Sequence, residues 1–301
     1  MTPAPARSWP TSMRTSLVAT LGRPEWWAMA LAAFLIRGGI VVVVLPLVSL
    51  PTVAQLSTIL APAIETVVLG GQTLAGVLVG GVTLAAALIV LGLCGLGGAW
   101  FDLALARDAA DDEDLELPRP VDLSAATAFR LRLVAHLPTA LALAYAAVRI
   151  VALTYDELTS PGDATVSVVT RVFDRAPEAV ALVALAWLVG ETVGALAVRR
   201  AATGATARRA LLESIRQLLR PRGLATLVAT SVVILAIAVP FLLALGRTWE
   251  HVRTYVLAQV DPVPLVAALV LLVGTWILGL SVLGVGLAWR ASAWTLEAAR
   301  G

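Results

Sequence analysis

Residues 224–245 read LATLVATSVVILAIAVPFLLAL, a run without one ionisable side chain. At roughly 1.5 Å of rise per residue, a helix of that length covers the roughly 30 Å hydrocarbon core of a bilayer. Directly before it stand Arg216, Arg220 and Arg222. Five further stretches share its composition: Trp26–Leu47, Leu74–Ala99, Leu133–Leu153, Ala179–Val198 and Val263–Ala288. The pattern predicts an all-α polytopic membrane protein. Its six transmembrane helices would form one membrane-embedded domain over residues 1–301, with interfacial amphipathic helices on both faces. Pro46 and Pro51 mark the end of the first span, Pro161 and Gly162 a loop after the third, and Pro262 and Pro264 the start of the sixth, as proline does at a helix start.

Composition supports this and closes other routes. Hydrophobic residues make up 59% of the 301 and charged residues 14%, with a mean hydropathy of +0.89. A soluble domain carries roughly 25% charged residues. All 22 basic residues are arginine, so Walker-type phosphate binding by lysine and Schiff-base chemistry are excluded. A nucleic-acid partner is not expected, because the arginines are needed to orient the spans. Cys94 is the only cysteine and lies in an apolar stretch, so no intrachain disulfide forms and no thiolate metal site is expected. His136 and His251 are too few for a histidine-rich site. No cofactor is implied. Met1 to Arg23 is too long and Pro-rich for a signal-peptide n-region, so the first apolar run reads as a retained anchor.

Arginine asymmetry gives direction. With both termini inside, the inner segments hold sixteen arginines: Arg7, Arg14, Arg23, Arg107, Arg119, Arg130, Arg132, Arg199, Arg200, Arg208, Arg209, Arg216, Arg220, Arg222, Arg290 and Arg300. The outer loops hold Arg171, Arg175, Arg247 and Arg253. Trp26, Trp27, Trp100, Trp289 and Trp294 fall at the same inner boundary, where indole rings favour the headgroup zone. The expected location is a bacterial cytoplasmic membrane with cytoplasmic N- and C-termini.

Pairing the spans gives a threefold pattern. The segments leading in are Leu21-Gly-Arg-Pro24, Ala135-His-Leu-Pro138 and Leu218-Leu-Arg-Pro221. Those leading back are Gly98-Ala-Trp-Phe-Asp102, Gly194-Ala-Leu-Ala-Val198 and Gly286-Leu-Ala-Trp-Arg290. Between them lie outer segments Val53–Val68, Thr165–Ala176 and Arg247–Val260. Three hairpin repeats and chance similarity of Ala/Leu-rich helices both account for this. Gly22-Arg-Pro-Glu-Trp-Trp27, with Ile36-Arg-Gly-Gly39 and Leu45-Pro-Leu47, resembles uncharacterised six-span integral membrane proteins of actinobacteria. More loosely, the layout resembles the membrane domain attached to some glycerophosphodiester phosphodiesterases. The resemblance covers the whole layout and carries over no functional residues.

Two charges interrupt the spans at depth. Arg37 lies about 11 residues into the first span, near the bilayer middle, followed by Gly38 and Gly39, which would let another backbone approach. Glu191 lies at a similar depth in the fourth. A charge there faces the bundle and needs a partner, so an Arg37–Glu191 pair is expected, serving either helix packing or a substrate or proton site. Ala205 to Gly223 forms an amphipathic helix, with Leu211, Leu212, Ile215, Leu218 and Leu219 on one stripe. Arg208, Arg209, Arg216 and Arg220 oppose them, for anionic lipid headgroups or a partner surface.

Arg149 is expected to snorkel outward and His136 to sit at the interface. Trp187 and Trp276 read as packing residues. The acidic run Asp108 to Glu116 reads as a solvated loop without a metal. Gly76 to Gly80 and Gly190 to Gly194 match the small-xxx-small pattern of close helix packing or homo-oligomerisation. With no catalytic constellation, the favoured expectation is a non-enzymatic scaffold, assembly factor or partner subunit of a membrane complex. The alternative is a transporter or lipid-handling protein for an anionic solute or lipid that uses Arg37 and Glu191.

Overall fold

The computed structural model describes residues 8–48, 58, 74–112, 123–159, 166–258 and 262–299; among them all regular structure is helical. The helices are α1 Trp9–Leu21, α2 Pro24–Phe34, α3 Ile40–Val44, α4 Leu74–Ala110, α5 Ala125–Ala135, α6 Leu137–Thr159, α7 Val168–Asp174, α8 Pro177–Ala202, α9 Ala207–Leu218, α10 Pro221–Leu257 and α11 Pro262–Ala299. Six segments are long and apolar enough to cross a membrane: Pro24–Leu47, Gly81–Ala109, and helices α6, α8, α10 and α11.

Several boundaries differ from the sequence reading, each for a local reason. The third span does not start at Leu133: the helix breaks at His136, where Pro138 at the start of α6 cannot donate backward. The second span runs past Ala99 to Ala110 because Trp100 to Arg107 contains no breaker. Arg247–Val260 is no separate outer segment, since α10 continues to Leu257. At 37 residues this helix is about 55 Å long and overruns the bilayer core. Val53–Val68, Pro161 and Gly162 lie outside the described residues, Thr58 excepted, as do the surroundings of Gly76 and Gly80.

The chain divides into two compact units. The first comprises Met1–Val48, Gly95–Ala135 and Glu191–Gly301. Here α10 and α11 pack closely because Gly279 faces Phe241; a Cβ at Gly279 would come within 2.0 Å of the Phe241 ring. Small residues permit such approach. A polar ladder ties α1 to α11: Thr20 Oγ1 lies 3.0 Å from Ser292 Oγ, and Trp289 Nε1 donates to Ser16 Oγ at 3.1 Å. The second unit comprises Ser49–Cys94 and His136–Gly190. Its core joins Ala146 and Leu153 of α6 to Val168 and Val172 of α7 and Ala179 of α8. Arg171 and Arg175 each place a nitrogen 2.8 Å from the buried Glu157.

Most of the expected tryptophan belt is core instead. Trp26 and Trp294 are fully enclosed and Trp289 is buried, while Trp100 is exposed. Three of their N–H groups find protein acceptors, Trp26 donating to Asp108, Trp27 to Thr20 O and Trp289 to Ser16 Oγ, while the buried Trp294 Nε1 has none among the described residues. Apolar side chains instead line the outside of the spans, as at Leu91, Val148, Val270 and Leu278. Apolar surface on this scale has no place in water and suits lipid tails.

Candidate functional site

The first span is broken at its charged residue. Between α2 and α3 the backbone makes a π-type turn over Leu35–Gly39, with Gly38 at φ 104°. That conformation favours glycine, which has no Cβ to clash. The expected role of Gly38 as a docking point for another backbone is not seen: a Cβ there would meet nothing within 4 Å, and one on Gly39 would strike the ring of Phe34. The glycine is needed for the turn. The turn exposes Ala33 O, which accepts from Arg37 Nε at 2.9 Å.

The rest of the Arg37 guanidinium enters a charge network in the first unit. Its Nη1 lies 2.9 Å from Asp102 Oδ2 of α4 and 3.5 Å from Glu191 Oε2 of α8. Arg132 of α5 lies 2.9 Å from the same Glu191 oxygen and also pairs with Asp102 Oδ2. Each carboxylate therefore bridges two guanidiniums, and four separate segments meet. Both glycines opposite make room: a Cβ at Gly98 would lie 2.6 Å from Arg37 Cγ, and one at Gly194 would lie 3.2 Å from Arg132 Cγ. Asp102 follows Gly98 by one helical turn, so both lie on one face of α4.

Two further arginines border the network. Arg199 of α8 is 3% exposed and donates through Nε to Thr295 Oγ1 at 2.7 Å and through Nη1 to Ala195 O at 3.0 Å. Arg290 of α11 donates through Nη2 to Thr192 Oγ1 at 3.1 Å. Burial alone would lower the pKa of Arg132, but Asp102 and Glu191 outweigh it and hold the guanidinium above its ordinary value. It is a fixed positive charge. Buried pairs of this kind depend on mutual satisfaction, because removing one partner strands the other in low dielectric.

Arg37 and Glu191 thus lie 3.5 Å apart, but each has a nearer partner that the sequence reading did not assign to it. In the linear sequence Arg132 reads only as an orienting charge, and Asp102 only as part of a returning segment. The signal for Asp102 was an acid in a span-like helix, one turn after a glycine.

The amphipathic helix is shorter than expected, Ala207–Leu218 rather than 205–223, because Pro221 starts α10. Arg208, Arg209, Arg216 and Arg220 are exposed. Arg209 Nε lies 2.6 Å from Glu213 Oε1. The apolar stripe divides: Leu218 is buried and Leu211 packs inward, while Leu212, Ile215 and Leu219 are exposed. The buried face also carries polar groups. Arg200 donates to Gln217 Oε1 and to Glu213 Oε2, Gln217 Nε2 donates to Glu297 O at 2.6 Å, and Arg222 Nε lies 2.9 Å from Glu297 Oε1.

Elsewhere, Arg149 does not stand alone but lies 3.2 Å from Glu178. His136 occupies the turn between α5 and α6. Trp187 is 42% exposed, and Trp276 packs against the Val43–Phe241–Leu245 core. The acidic run is not simply solvated: Asp108 accepts from Trp26, and the buried Asp112 lies 3.2 Å from Arg23. Residues 113–120 lie outside the described residues. Among the described residues no three acid, histidine or cysteine side chains gather as a metal site.

Fold and surface define a multi-pass α-helical membrane protein with a buried charge network. The chain matches no protein-family model, no curated protein and no solved structure.

Proposed function

We propose that this chain is a non-enzymatic component of a bacterial cytoplasmic membrane, a scaffold or partner subunit with both termini on the cytoplasmic side. The observation that carries the reading is the closed Arg37–Asp102–Arg132–Glu191 network. Its carboxylates are each shared by two arginines, as suits a clamp between helices rather than a group exchanging protons or substrate. The sixteen-to-four arginine bias supports the orientation.

The three-hairpin repeat gains support from glycines at matching positions. Gly98 faces Arg37, Gly194 faces Arg132, and a Cβ on Gly286 would lie 3.1 Å from Ile237. In the first and third pairs the returning helix offers a glycine to its partner span, while Gly194 faces α5, the helix that leads into the third span. On α9, the exposed Arg208, Arg209, Arg216 and Arg220 beside Leu212, Ile215 and Leu219 suit contact with anionic headgroups at the membrane surface.

Reconstitution tests the reading. The protein in vesicles of phosphatidylethanolamine and phosphatidylglycerol is expected to move neither phosphate nor labelled lipid, and in mild detergent extracts to run at one discrete size above its monomer mass. Arg37-dependent lipid scrambling or anion flux by a monomer would overturn it in favour of transport.

A further inference from the structure

The α10–α11 hairpin carries more apolar length on one arm than on the other. The first span and α10 leave the apolar zone at one level: helical structure in the first span ends at Leu47, and a Cβ on Gly246 would lie 3.6 Å from Pro46 Cβ. Arg247, Glu250, His251 and Arg253 follow in α10, with Glu250 and Arg253 exposed. Charges there mark the level as headgroups and water. α11 runs antiparallel beside α10, Gly279 against Phe241 and Gly286 against Ile234 and Ile237. Its Leu272 packs on the core of Val43, Phe241 and Leu245, so residues 262–271 lie beyond that level. They read PVPLVAALVL, about 15 Å of helix without a polar side chain. Val263 is 77% exposed, and Val266, Leu269, Val270 and Leu271 are exposed as well. A span with excess apolar length can hide it by tilting. Here α11 is packed along α10 and the first span, which would tilt with it.

The exposed face of α11 also carries a repeat. Val263, Ala267, Val270, Gly274, Ile277 and Ser281 follow one another at alternating spacings of four and three, and all six are exposed. β-Branched and small residues alternate along this line. Such spacing is the seam of a left-handed helix pair, in which each large side chain enters a hole on the facing helix. Small residues let the two backbones approach, and among the described residues a Cβ on Gly274 would meet nothing within 4 Å. The Ser281 hydroxyl already donates to Ile277 O at 2.8 Å, so closing the seam strands no polar group.

We propose that this face of α11 docks a second copy of the chain, the two α11 helices lying parallel about an axis along the membrane normal. A copy inserted in the same direction carries the same overhang at the same height. Each therefore covers the part of the other that lipid tails do not reach. A helix ending at the bilayer surface would cover only the lower part of the seam. The proposal rests on the scaffold reading, for which it names the partner.

The test uses the full chain with Cys94→Ser in native membranes. Ala267→Cys and Val270→Cys, one at a time, are expected on oxidation to give a disulfide-linked dimer at least tenfold more than Arg253→Cys, which stands beyond the same level on α10. Gly274→Leu fills space that is open in the single chain. It is expected to accumulate, to lower the Val270→Cys crosslink at least tenfold and to shift the detergent-purified protein toward monomer mass. Should it not accumulate, Ala267→Leu is the second variant, with the same expected effect. No crosslink at either seam position, which would leave the face to lipid, overturns the proposal. Equal crosslinking at all three positions, or an undiminished crosslink in the seam variant, does so too. A larger complex without seam crosslinks sinks this interface and leaves the scaffold reading standing. Anion flux or lipid scrambling with the crosslinks intact sinks that reading and leaves the interface.

Discussion

Arg132 is buried and touches both carboxylates of the network, so its loss strands two charges at once. Arg132→Ala is expected to cost about 3–5 kcal/mol, the scale for breaking a buried pair. Arg37 is more exposed, and its removal leaves Arg132 to serve both acids. Arg37→Ala should therefore be the milder change, and adding Glu191→Ala to it should not restore wild-type stability. Thermal unfolding of the purified variants ranks them; an Arg37→Ala defect equal to that of Arg132→Ala would contradict the shared geometry. Gly38→Ala should cost about 1–2 kcal/mol, because an L-residue resists the left-handed region, and the same melting assay reads it. Arg37 and Glu191 are legible as a pair because each breaks an apolar run. Asp102 and Arg132 were not, because linear position does not reveal that a returning helix and a pre-span helix converge.

At the scale of the element, α9 is held by charges that titrate. Its Glu213 is kept below the ordinary carboxylate value near 4.5 first by the hydrogen bond from Arg209, against a smaller opposing effect of desolvation. The folded value lies below the unfolded one. The contribution to α9, mostly from its own Arg209–Glu213 pair and in part from Arg200, is therefore complete at neutral pH and is lost as pH falls through the folded value, below about 4.5. Hydrogen exchange of α9 amides, corrected for intrinsic rates, should rise across that window in the wild type and change less in Glu213→Gln. Gly98→Ala tests α4 against the first span: its Cβ would overlap Arg37 Cγ, and overpacking of this kind costs about 1–3 kcal/mol. Helix identity was readable from apolar runs. Helix ends were not, where no breaker stopped the helix, as at Trp100 to Arg107 and Arg247 to Leu257.

For the whole molecule, the testable quantity is direction. Reporter fusions at each terminus, and a cysteine-labelling site at Arg253 in a Cys94→Ser background, should place both termini in the cytoplasm and position 253 outside. Labelling of position 253 only after the membrane is permeabilised would reverse the orientation.

The sequence by itself determined that this chain crosses a membrane six times, because hydrophobic length and charge scarcity are properties of a linear segment. It also set which residues break the spans. The tertiary structure decided where their charges go. Arginines of the connecting segments that look alike in sequence separate into exposed ones on α9 and buried ones at 132, 199 and 200. Tryptophans expected at the lipid boundary became core. The reason is physical: burial and ion pairing depend on which helices meet, and a local apolar pattern, satisfied equally by lipid and by protein, does not specify that.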